Sequence, residues 1–214
     1  MTRPAYKPVV CVVDDDDAFR DSLVWLLQSA GYAVTAYASA DALLQSWPPE
    51  RAGCMLLDIR MPGLSGLELQ AELARRGYSA PVVFVTGHGD VPMAVGAMQK
   101  GAYHFLEKPF SDHVLLDIVA RALKADAQTH AERARRFTVA ARLERLTPRE
   151  RDVMDCVVAG KLNKVTADEL GVSVKTVEAH RSQLMKKLEV DSTAELVRLL
   201  IEVDAAPAGR KSSS

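Results

Sequence analysis

The sequence has no long apolar run, few cysteines and no signal-peptide pattern, and each absence excludes a class of protein. No apolar run approaches the roughly 20 residues that a transmembrane helix needs, so we expect no membrane partner. The three cysteines, Cys11, Cys54 and Cys156, lie far apart in apolar segments. This pattern favours reduced core residues in a cytoplasmic protein over a disulfide scaffold or a zinc site. The N-terminal residues do not follow the order of a signal peptide.

Glycine and proline are absent from residues 110–147, which are rich in alanine, leucine, arginine and glutamate. These residues favour helix, so the segment is predicted to begin as the last helix of an N-terminal domain and to continue as a helical linker over 123–142. A straight linker, a bent or frayed one and a weak coiled-coil contact all fit the pattern. Residues 121–146 carry seven Lys+Arg against three Asp+Glu, whereas residues 1–120 carry nine against 14. A basic middle segment therefore follows an acidic N-terminal half.

The first 110 residues alternate apolar, strand-like segments with segments of helical periodicity. This alternation predicts a parallel sheet covered by helices on both faces, because short, continuously apolar strands suit a sheet that is buried on both sides. The letters "SGLE" at 65–68 have the pattern of a helix capping box. The predicted strands are 9–13, 33–37, 54–58, 81–86 and 103–108.

Polar side chains gather at the predicted carboxyl ends of these strands. Chemistry in an open α/β sheet collects at that edge, which here would hold Asp14, Asp15, Asp58, Thr86 and Lys108. Carboxylate oxygens with few other donors suit Mg²⁺, which prefers carboxylates, water and a phosphate. A lysine beside them suits a phosphoryl group. We therefore expect a Mg²⁺-dependent phosphoryl site at this edge.

Four consecutive carboxylates, Asp14 to Asp17, follow the first predicted strand. Like charges this close repel one another unless a cation lies between them. We assign Asp14 and Asp15 to the metal site. Asp16 and Asp17 are predicted to start the first helix, where carboxylates cap free amides and favour the positive end of the helix dipole.

The motifs "VVDDDDAFR", "LLDIRMPGLSGLEL", "VVFVTGHGD" and "FLEKPF" occur in this order at the predicted strand ends. Together they resemble the receiver domain of bacterial two-component response regulators, and the last two motifs are closest to the FixJ subfamily. The resemblance covers residues 1–122. It implies an α/β domain with a doubly wound, flavodoxin-like sheet of five parallel strands, Mg²⁺ as cofactor and a sensor histidine kinase as partner.

The resemblance also assigns roles to the acidic residues and the lysine. Asp58 would be the phosphoacceptor. Mg²⁺ would be bound by Asp15, Asp58 and the backbone carbonyl of Arg60, with Asp14 acting mainly through bound water. Lys108 would contact a phosphoryl oxygen. A plain strand-end cap remains the alternative interpretation of Asp58.

Other positions match the switch residues of the family. Thr86 would turn its hydroxyl towards the phosphate, and Phe105 would swing inward behind it. Arg60 and His88 match positions that tune the lifetime of the aspartyl phosphate, and the Lys108–Pro109 peptide bond is cis in this family. Bland alternatives stay open: Thr86 as an ordinary strand-end residue, Phe105 as core and His88 as a solvated loop residue.

A second unit begins at "TPRE" (147–150), a capping box with proline at the first helical position. Residues 147–203 read as a small all-helical domain, and residues 204–214 are expected to be a disordered tail. A helix at 163–170 ends at Gly171, and Ser173 can cap a following helix over 173–188, which is the pattern of a helix-turn-helix. Four apolar residues of the second helix recur at helical spacing and should be buried: Val174, Val177, Leu184 and Leu188.

The segment "LTPRERDVMDCVVAGKLNK…TVEAHRSQLMKKL" resembles the LuxR/FixJ-type DNA-binding domain, over residues 143–203. By position, the residues that would face base edges are Glu178, Ala179 and Ser182. Those that would mostly meet phosphates are Lys164, Lys175, Thr176, Arg181 and Lys186. Pairing with Lys175 stays an alternative for Glu178, as a solvated helix end does for Lys186. The family usually has an apolar residue where this chain has Thr166, so packing there is expected to be looser or shifted by one residue.

The expected protein is thus a cytoplasmic response regulator and not an enzyme. Phosphorylation of Asp58 by a histidine kinase or a small phosphodonor would switch homodimerisation and binding to double-stranded promoter DNA, with RNA polymerase as a further partner in transcription. Two other classes stay open. One is a phosphorylation-independent DNA-binding regulator with a degenerate receiver. The other is a Mg²⁺-dependent aspartyl-phosphate phosphohydrolase, which would carry its attacking Asp in a DxD arrangement at the first strand.

Overall fold

The computed structural model of the protein describes residues 8–46, 52–87 and 91–204. The chain forms two compact units with a boundary between His130 and Ala131. That boundary falls inside one helix, Asp112–Glu144, so residues 123–142 are helical. Their role as a linker, and the domain bounds drawn from the sequence, stay predictions. His88 and residues 205–214 of the predicted tail 204–214 lie outside the described residues, while Asp204 is the last residue of a helix.

The first unit contains a five-stranded parallel sheet, as predicted, in which the second strand of the sequence lies at one edge and is followed by the first, third, fourth and fifth. This order puts a topological switch point beside the first strand, where ligands of doubly wound sheets bind. The strand bounds differ from the predicted ones by at most two residues. They are β1 Val9–Val13, β2 Ala33–Tyr37, β3 Ala52–Leu57, β4 Val82–Thr86 and β5 His104–Glu107.

Helices cover both faces of this sheet. Because successive residues of a strand point to opposite faces, β1 contributes to two cores: Cys11 and Val13 belong to one, Val10 and Val12 to the other. The predicted capping box at Ser65 is confirmed and starts the third helix. The helices of this unit are α1 Asp17–Ser29, α2 Ala40–Gln45, α3 Gly66–Arg75, α4 Val91–Gln99 and the beginning of α5 Asp112–Glu144.

All three cysteines are buried and free, as expected for core residues. Burial raises the pKa of Cys11 to about 12 and that of Cys54 to about 12, so both thiols stay protonated at neutral pH. Burial thus disfavours the thiolate, the form that acts as a nucleophile or metal ligand.

The second unit is all-helical, and its capping box at Thr147 and Glu150 is confirmed. Gly171 ends its second helix in the left-handed conformation, with φ of 66°, which glycine adopts without strain. A third helix follows after a short turn, capped by Ser173, so the predicted helix-turn-helix is confirmed. The helices are α6 Pro148–Val158, α7 Asn163–Leu170, α8 Val174–Leu188 and α9 Thr193–Asp204.

Two packing details differ from the sequence-based expectation. Val177, Leu184 and Leu188 are fully buried, but the prediction for Val174 is wrong, since 41% of this residue is exposed. Val174 is the first residue of α8 and precedes the part of the helix that packs into the core. Thr166 occupies the buried position of α7 itself, at 1% exposure, so the helix is not shifted by one residue. Within the described residues, no helix is long and apolar enough to cross a membrane.

Candidate functional site

Two acidic residues and one lysine meet at the carboxyl ends of the central strands. Asp14 directly follows β1 and Asp58 directly follows β3, and the amide of Asp58 donates to the carbonyl of Val13 at 2.8 Å. Both are buried, at 2% and 7% exposure. Lys108, which follows β5, places its Nζ 2.8 Å from Oδ2 of Asp14 and 3.7 Å from Oδ1 of Asp58. The sheet thus brings together three residues that lie far apart in the sequence, as predicted.

One oxygen of the Asp58 carboxylate is held by a backbone amide. Its Oδ2 accepts a hydrogen bond of 2.9 Å from the amide of Arg60, whose side chain is exposed. Burial raises the pKa of Asp58, Lys108 acts in the opposite direction, and the negative charge of Asp14 raises it further. An additional cation near this carboxylate would stabilise its ionised form.

The acidic run divides between the site and the first helix. Asp15 is exposed beside the buried Asp14, whose Oδ1 accepts from the amide of Asp16. Asp16 is the N-cap of α1 and accepts from the amide at position 19, while Asp17 pairs with Arg20. Arg20 also donates from Nη1 to the backbone carbonyl of Asp14 at 2.8 Å. A guanidinium therefore lies among these carboxylates and lowers their mutual repulsion, in addition to Lys108.

Thr86 and Phe105 lie on the two neighbouring strands next to the acidic site. Thr86 is the last residue of β4, is 1% exposed and accepts at its carbonyl from the amide of Lys108 at 2.8 Å. Phe105 pairs in register with Phe84 and is half-buried against the core on that face. The lysine backbone and the end of β4 are therefore joined directly. Lys108–Pro109 is a cis peptide bond, as the resemblance implies.

Gly66 contributes to the site in a way that the sequence analysis missed. It begins α3, and its amide donates to the carbonyl of Ile59 at 3.0 Å. A Cβ at this position would lie 2.1 Å from the backbone oxygen of Asp58, so only glycine fits. The signal was present in the "PGLSGLEL" motif, but the close approach depends on how α3 returns to the end of β3.

Two aromatic residues next to Lys108 were also missed. The Nζ of Lys108 lies 3.6 Å from the ring centroid of Phe19, a cation–π contact. Phe110 meets the same ring edge-on, with centroids 6.2 Å apart and an interplanar angle of 84°. Phe19 belongs to the first turn of α1 and Phe110 to the loop after β5, so no local sequence pattern could pair them.

The donor chemistry of this edge fits a hydrated Mg²⁺. Within the described residues, no three side chains of His, Cys, Asp or Glu already form a metal-binding group. Mg²⁺ does not need one, because it usually keeps several waters and binds one or two carboxylates plus a phosphate. Asp14, Asp15 and Asp58 supply such carboxylates, and the ammonium of Lys108 already lies between two of them.

In the second unit, the outer face of α8 carries most of the predicted DNA contacts. Within the described residues, Lys175 and Glu178 form no ion pair, so this alternative for Glu178 finds no support. Thr176 is half-buried, and its amide donates to the Ser173 hydroxyl at 3.1 Å as part of the helix cap. The exposed predicted residues are Lys164, Lys175, Glu178, Ala179, Ser182 and Lys186.

Arg181 differs from these residues because its guanidinium is engaged within the unit. Nη1 donates to Oδ1 of Asn163 at 3.2 Å, and Nη2 donates to Oγ1 of Thr193 at 2.8 Å. Asn163 begins α7 and Thr193 begins α9, so one side chain of α8 joins the starts of both neighbours. Lys187 makes a second link, from Nζ to Oε2 of Glu150 at 2.6 Å. These contacts fix α8 within the unit.

Two family descriptions match the chain, one in each half. Residues 10–120 match the response regulator receiver domain, and residues 144–200 match the bacterial regulatory proteins of the luxR family. The transcriptional regulatory protein FixJ of Azorhizobium caulinodans is 47% identical over 199 residues, which cover 93% of this chain and 94% of the relative. Nodulation protein W of Bradyrhizobium diazoefficiens is 44% identical over 198 residues, 92% of this chain and 87% of the relative.

Solved structures agree with this match. The response regulator StyR superposes with a TM-score of 0.83 at 43% identity and covers 91% of this chain and 98% of its own. Full-length FixJ from B. japonicum gives 0.57 at 42% identity, with 94% and 98% covered. The chain therefore belongs to the two-component response regulators that join a receiver domain to a LuxR-type DNA-binding domain, and it controls transcription.

Proposed function

We propose that Asp58 is the phosphoacceptor of this response regulator and that a sensor histidine kinase or a small phosphodonor supplies the phosphoryl group. The observation that carries the proposal is the position of the buried Asp58 carboxylate, 3.7 Å from the ammonium of Lys108 at the carboxyl end of β3. An acyl phosphate forms by in-line attack of a carboxylate, and the protein needs mainly to position groups and to stabilise charge.

The residues around Asp58 can supply both. The amide of Arg60 holds Oδ2, which leaves Oδ1 facing Lys108 for attack. The side chain of Lys108 is flexible. Its ammonium could therefore leave Asp14 and contact an oxygen of the incoming phosphoryl group. Mg²⁺ would be held by Asp14, Asp15, Asp58 and the carbonyl of Arg60, and it would supply additional positive charge for the phosphoryl oxygens.

The switch would begin at Thr86 and Phe105. Thr86 would turn its hydroxyl towards the phosphoryl group, and Phe105 would move inward, which changes the surface formed by α4, β5 and α5 and promotes a homodimer. Support comes from the hydrogen bond between the amide of Lys108 and the carbonyl of Thr86, since movement of either residue affects the other. Arg60 and His88 would tune the lifetime of the phosphate.

The second unit would place α8 in the major groove of promoter DNA. Glu178, Ala179 and Ser182 would face base edges, and a glutamate can accept from the amino group of cytosine. Phosphate contacts fix the position of a protein on DNA, and the exposed lysines at 164, 175 and 186 are suited to them. Thr176 would add a phosphate contact, whereas Arg181 would act by holding α8 against the starts of α7 and α9, since Nη1 and Nη2 both donate within the unit.

The partners proposed are a sensor histidine kinase, double-stranded promoter DNA, RNA polymerase and a second copy of the chain. The activity is regulation in the cytoplasm, with no enzymatic turnover beyond gain and loss of the phosphoryl group. We place the receiver domain at 1–122, the linker at 123–142 and the DNA-binding domain at 143–203, followed by a tail at 204–214.

One experiment tests the phosphoacceptor. Wild type, Asp58→Ala and Asp21→Asn are incubated with acetyl phosphate and Mg²⁺ and analysed on a phosphate-affinity gel and by light scattering. Asp21 is an exposed acid on α1 and serves as the matched control. We expect labelling in wild type and the control, none in Asp58→Ala, and a doubled mass in solution only where labelling occurs.

A DNA-binding assay of the same samples and one further variant, Asp14→Asn, separate the two other classes. DNA binding that is unchanged by labelling would indicate a regulator that does not depend on phosphorylation. Labelling that survives in Asp58→Ala but is lost in Asp14→Asn would indicate a phosphohydrolase-like nucleophile at the first strand. Continuous release of inorganic phosphate from acetyl phosphate by the Asp58→Ala protein would point the same way.

A further inference from the structure

The position of the Lys108 ammonium is not determined by its hydrogen bonds alone. A lysine is a point charge on a four-carbon stem with many rotamers, so it needs additional contacts to stay in one place. Lys108 has two carboxylates at unequal distances, 2.8 Å for Asp14 and 3.7 Å for Asp58. Its side chain keeps 21% exposure, which leaves solvent-exposed conformations open to it.

The ring of Phe19 supplies the missing contact. Its centroid lies 3.6 Å from Nζ, well within the roughly 6 Å over which a ring face attracts a cation. The attraction comes from the face of the ring and does not occupy an oxygen of Asp58 or Asp14. The ammonium can therefore keep this contact while its hydrogen-bond partners change, which a carboxylate partner would not allow.

Contacts with α1 and with the loop after β5 hold the ring of Phe19 in place. Phe110 packs against it edge-on, and the amide of Phe19 donates to Oδ1 of Asp16, the N-cap of α1. The next residue, Arg20, donates to the backbone carbonyl of Asp14. The first turn of α1 thus joins the ring to the end of β1, and Phe110 joins it to the loop that carries Lys108.

We propose that Phe19 is a positioning residue for phosphoryl transfer to Asp58, acting through the ammonium of Lys108. The inference rests on the proposed function of Asp58 as phosphoacceptor. The π face of the ring holds the ammonium between Asp14 and Asp58. Lys108 is then already in the rotamer that contacts the phosphoryl oxygens. Any aromatic ring at position 19 can serve, whereas an aliphatic side chain of similar size cannot.

The test compares Phe19→Leu, Phe19→Tyr and Tyr32→Leu in the full chain, with acetyl phosphate and Mg²⁺ as the phosphodonor system. Phe19→Leu should label at about one-third to one-tenth of the wild-type rate, which corresponds to the usual strength of a cation–π contact. Phe19→Tyr should label within about twofold of wild type. Phe19 lines a cavity of about 320 Å³.

Tyr32→Leu is the matched control for packing. It removes an aromatic ring that packs against the same core as Phe19 but leaves the contacts of Phe19 with Lys108 and Phe110 in place, so its labelling rate should stay near that of wild type. Phe19→Leu labelling at the wild-type rate would overturn the proposal. So would a loss in Phe19→Tyr as large as that in Phe19→Leu, because it would indicate a steric role.

A second measurement does not depend on phosphorylation. Nζ of Lys108 lies 3.6 Å from the ring centroid, so we expect the NMR signals of the protons on the adjacent Cε to be shifted upfield in wild type and Phe19→Tyr and to return to ordinary values in Phe19→Leu. Unshifted signals in wild type would overturn the contact itself. Shifted signals with no labelling of wild type would contradict the proposed phosphoacceptor, and the role of Phe19 in the transfer with it.

Discussion

The ammonium nitrogen of Lys108 lies 2.8 Å from Oδ2 of the buried Asp14. Removing one partner of such a pair leaves an uncompensated charge, whereas removing both leaves none. We expect Lys108→Met to lower the free energy of unfolding of the first unit by about 1 to 3 kcal/mol, less than for a fully dry pair because Lys108 is partly exposed. The double variant with Asp14→Asn should recover most of that loss.

Phosphorylation should not recover in the double variant, because the lysine and the buried carboxylate would both be absent.

Both tryptophans of the sequence lie before residue 48, so urea unfolding followed by tryptophan fluorescence reports on the first unit. Equal stabilities for the single and the double variant would contradict the pairing.

Gly66→Ala tests the close approach of α3 to the phosphoacceptor. The added Cβ would lie 2.1 Å from the carbonyl oxygen of Asp58, and a backbone atom cannot move aside cheaply. We expect a labelling rate about 10- to 100-fold lower, since small misplacements of reacting groups are costly. Gly96→Ala on α4 is the control, because a Cβ there meets nothing within 4 Å. Its labelling rate should match that of wild type.

The fold could be predicted from the sequence because the signals are local. Continuous apolar runs such as β1 and β4 are buried on both faces, and the capping boxes predicted at Ser65 and Thr147 are present in the structure. The strand ends then bring Asp14, Asp58 and Lys108 together, because parallel strands share one carboxyl edge.

The parts that could not be predicted depend on tertiary distances. Gly66 is needed because of where α3 meets the backbone of Asp58, and Phe19 touches Lys108 across 89 positions of sequence. Periodicity placed Val174 with the buried residues of α8, but this first residue of the helix is 41% exposed, whereas Val177 one turn later is fully buried. Periodicity reports the face of a helix and not the length over which that face is covered.

Asp16→Ala and Asp17→Asn distinguish the helix cap of α1 from the surface ion pair beside it. Asp16 is the N-cap of α1 and accepts from the amide of Phe19 at 3.0 Å. Loss of such a cap costs about 1 kcal/mol. Asp17 is exposed and pairs with Arg20 on the surface. Its neutralisation should therefore lower the free energy of unfolding by at most about 0.3 kcal/mol. Urea unfolding measures both, and a larger cost for Asp17→Asn would reverse the assignment.

Adjacent lysines of α8 should behave differently. Lys187 pairs with the buried Glu150 at 2.6 Å, whereas Lys186 is exposed. Lys187→Met should destabilise the second unit by about 1 to 3 kcal/mol, because it leaves a buried carboxylate without its cation. Lys186→Met should leave stability unchanged and weaken DNA binding. Circular dichroism during unfolding and a gel-shift assay make the comparison, and the opposite pattern would contradict the assignment.

Glu150 should make the second unit sensitive to acid. Burial acts to raise its pKa, but hydrogen bonds from Lys187 and Thr147 together outweigh burial and hold the pKa below its ordinary value of 4.5. A lowered folded-state pKa stabilises the fold above the ordinary pKa, and this contribution is lost as the pH falls through the lowered value. Unfolding measured from pH 7 to pH 3 should show this loss. Glu150→Gln should have a smaller pH slope, and an unchanged slope would exclude Glu150 as its source.

Arg181 joins α8 to the starts of α7 and α9, and this has a consequence for how DNA affinity varies with ionic strength. Each phosphate neutralised on DNA releases condensed counterions and adds about 0.9 to the slope of log affinity against log salt concentration. Replacing Lys164, Lys175 or Lys186 removes such a contact and should lower the slope. A side chain that acts by keeping three helices in register changes the affinity by the same factor at every salt concentration, so the loss in an Arg181→Met variant should not vary with salt.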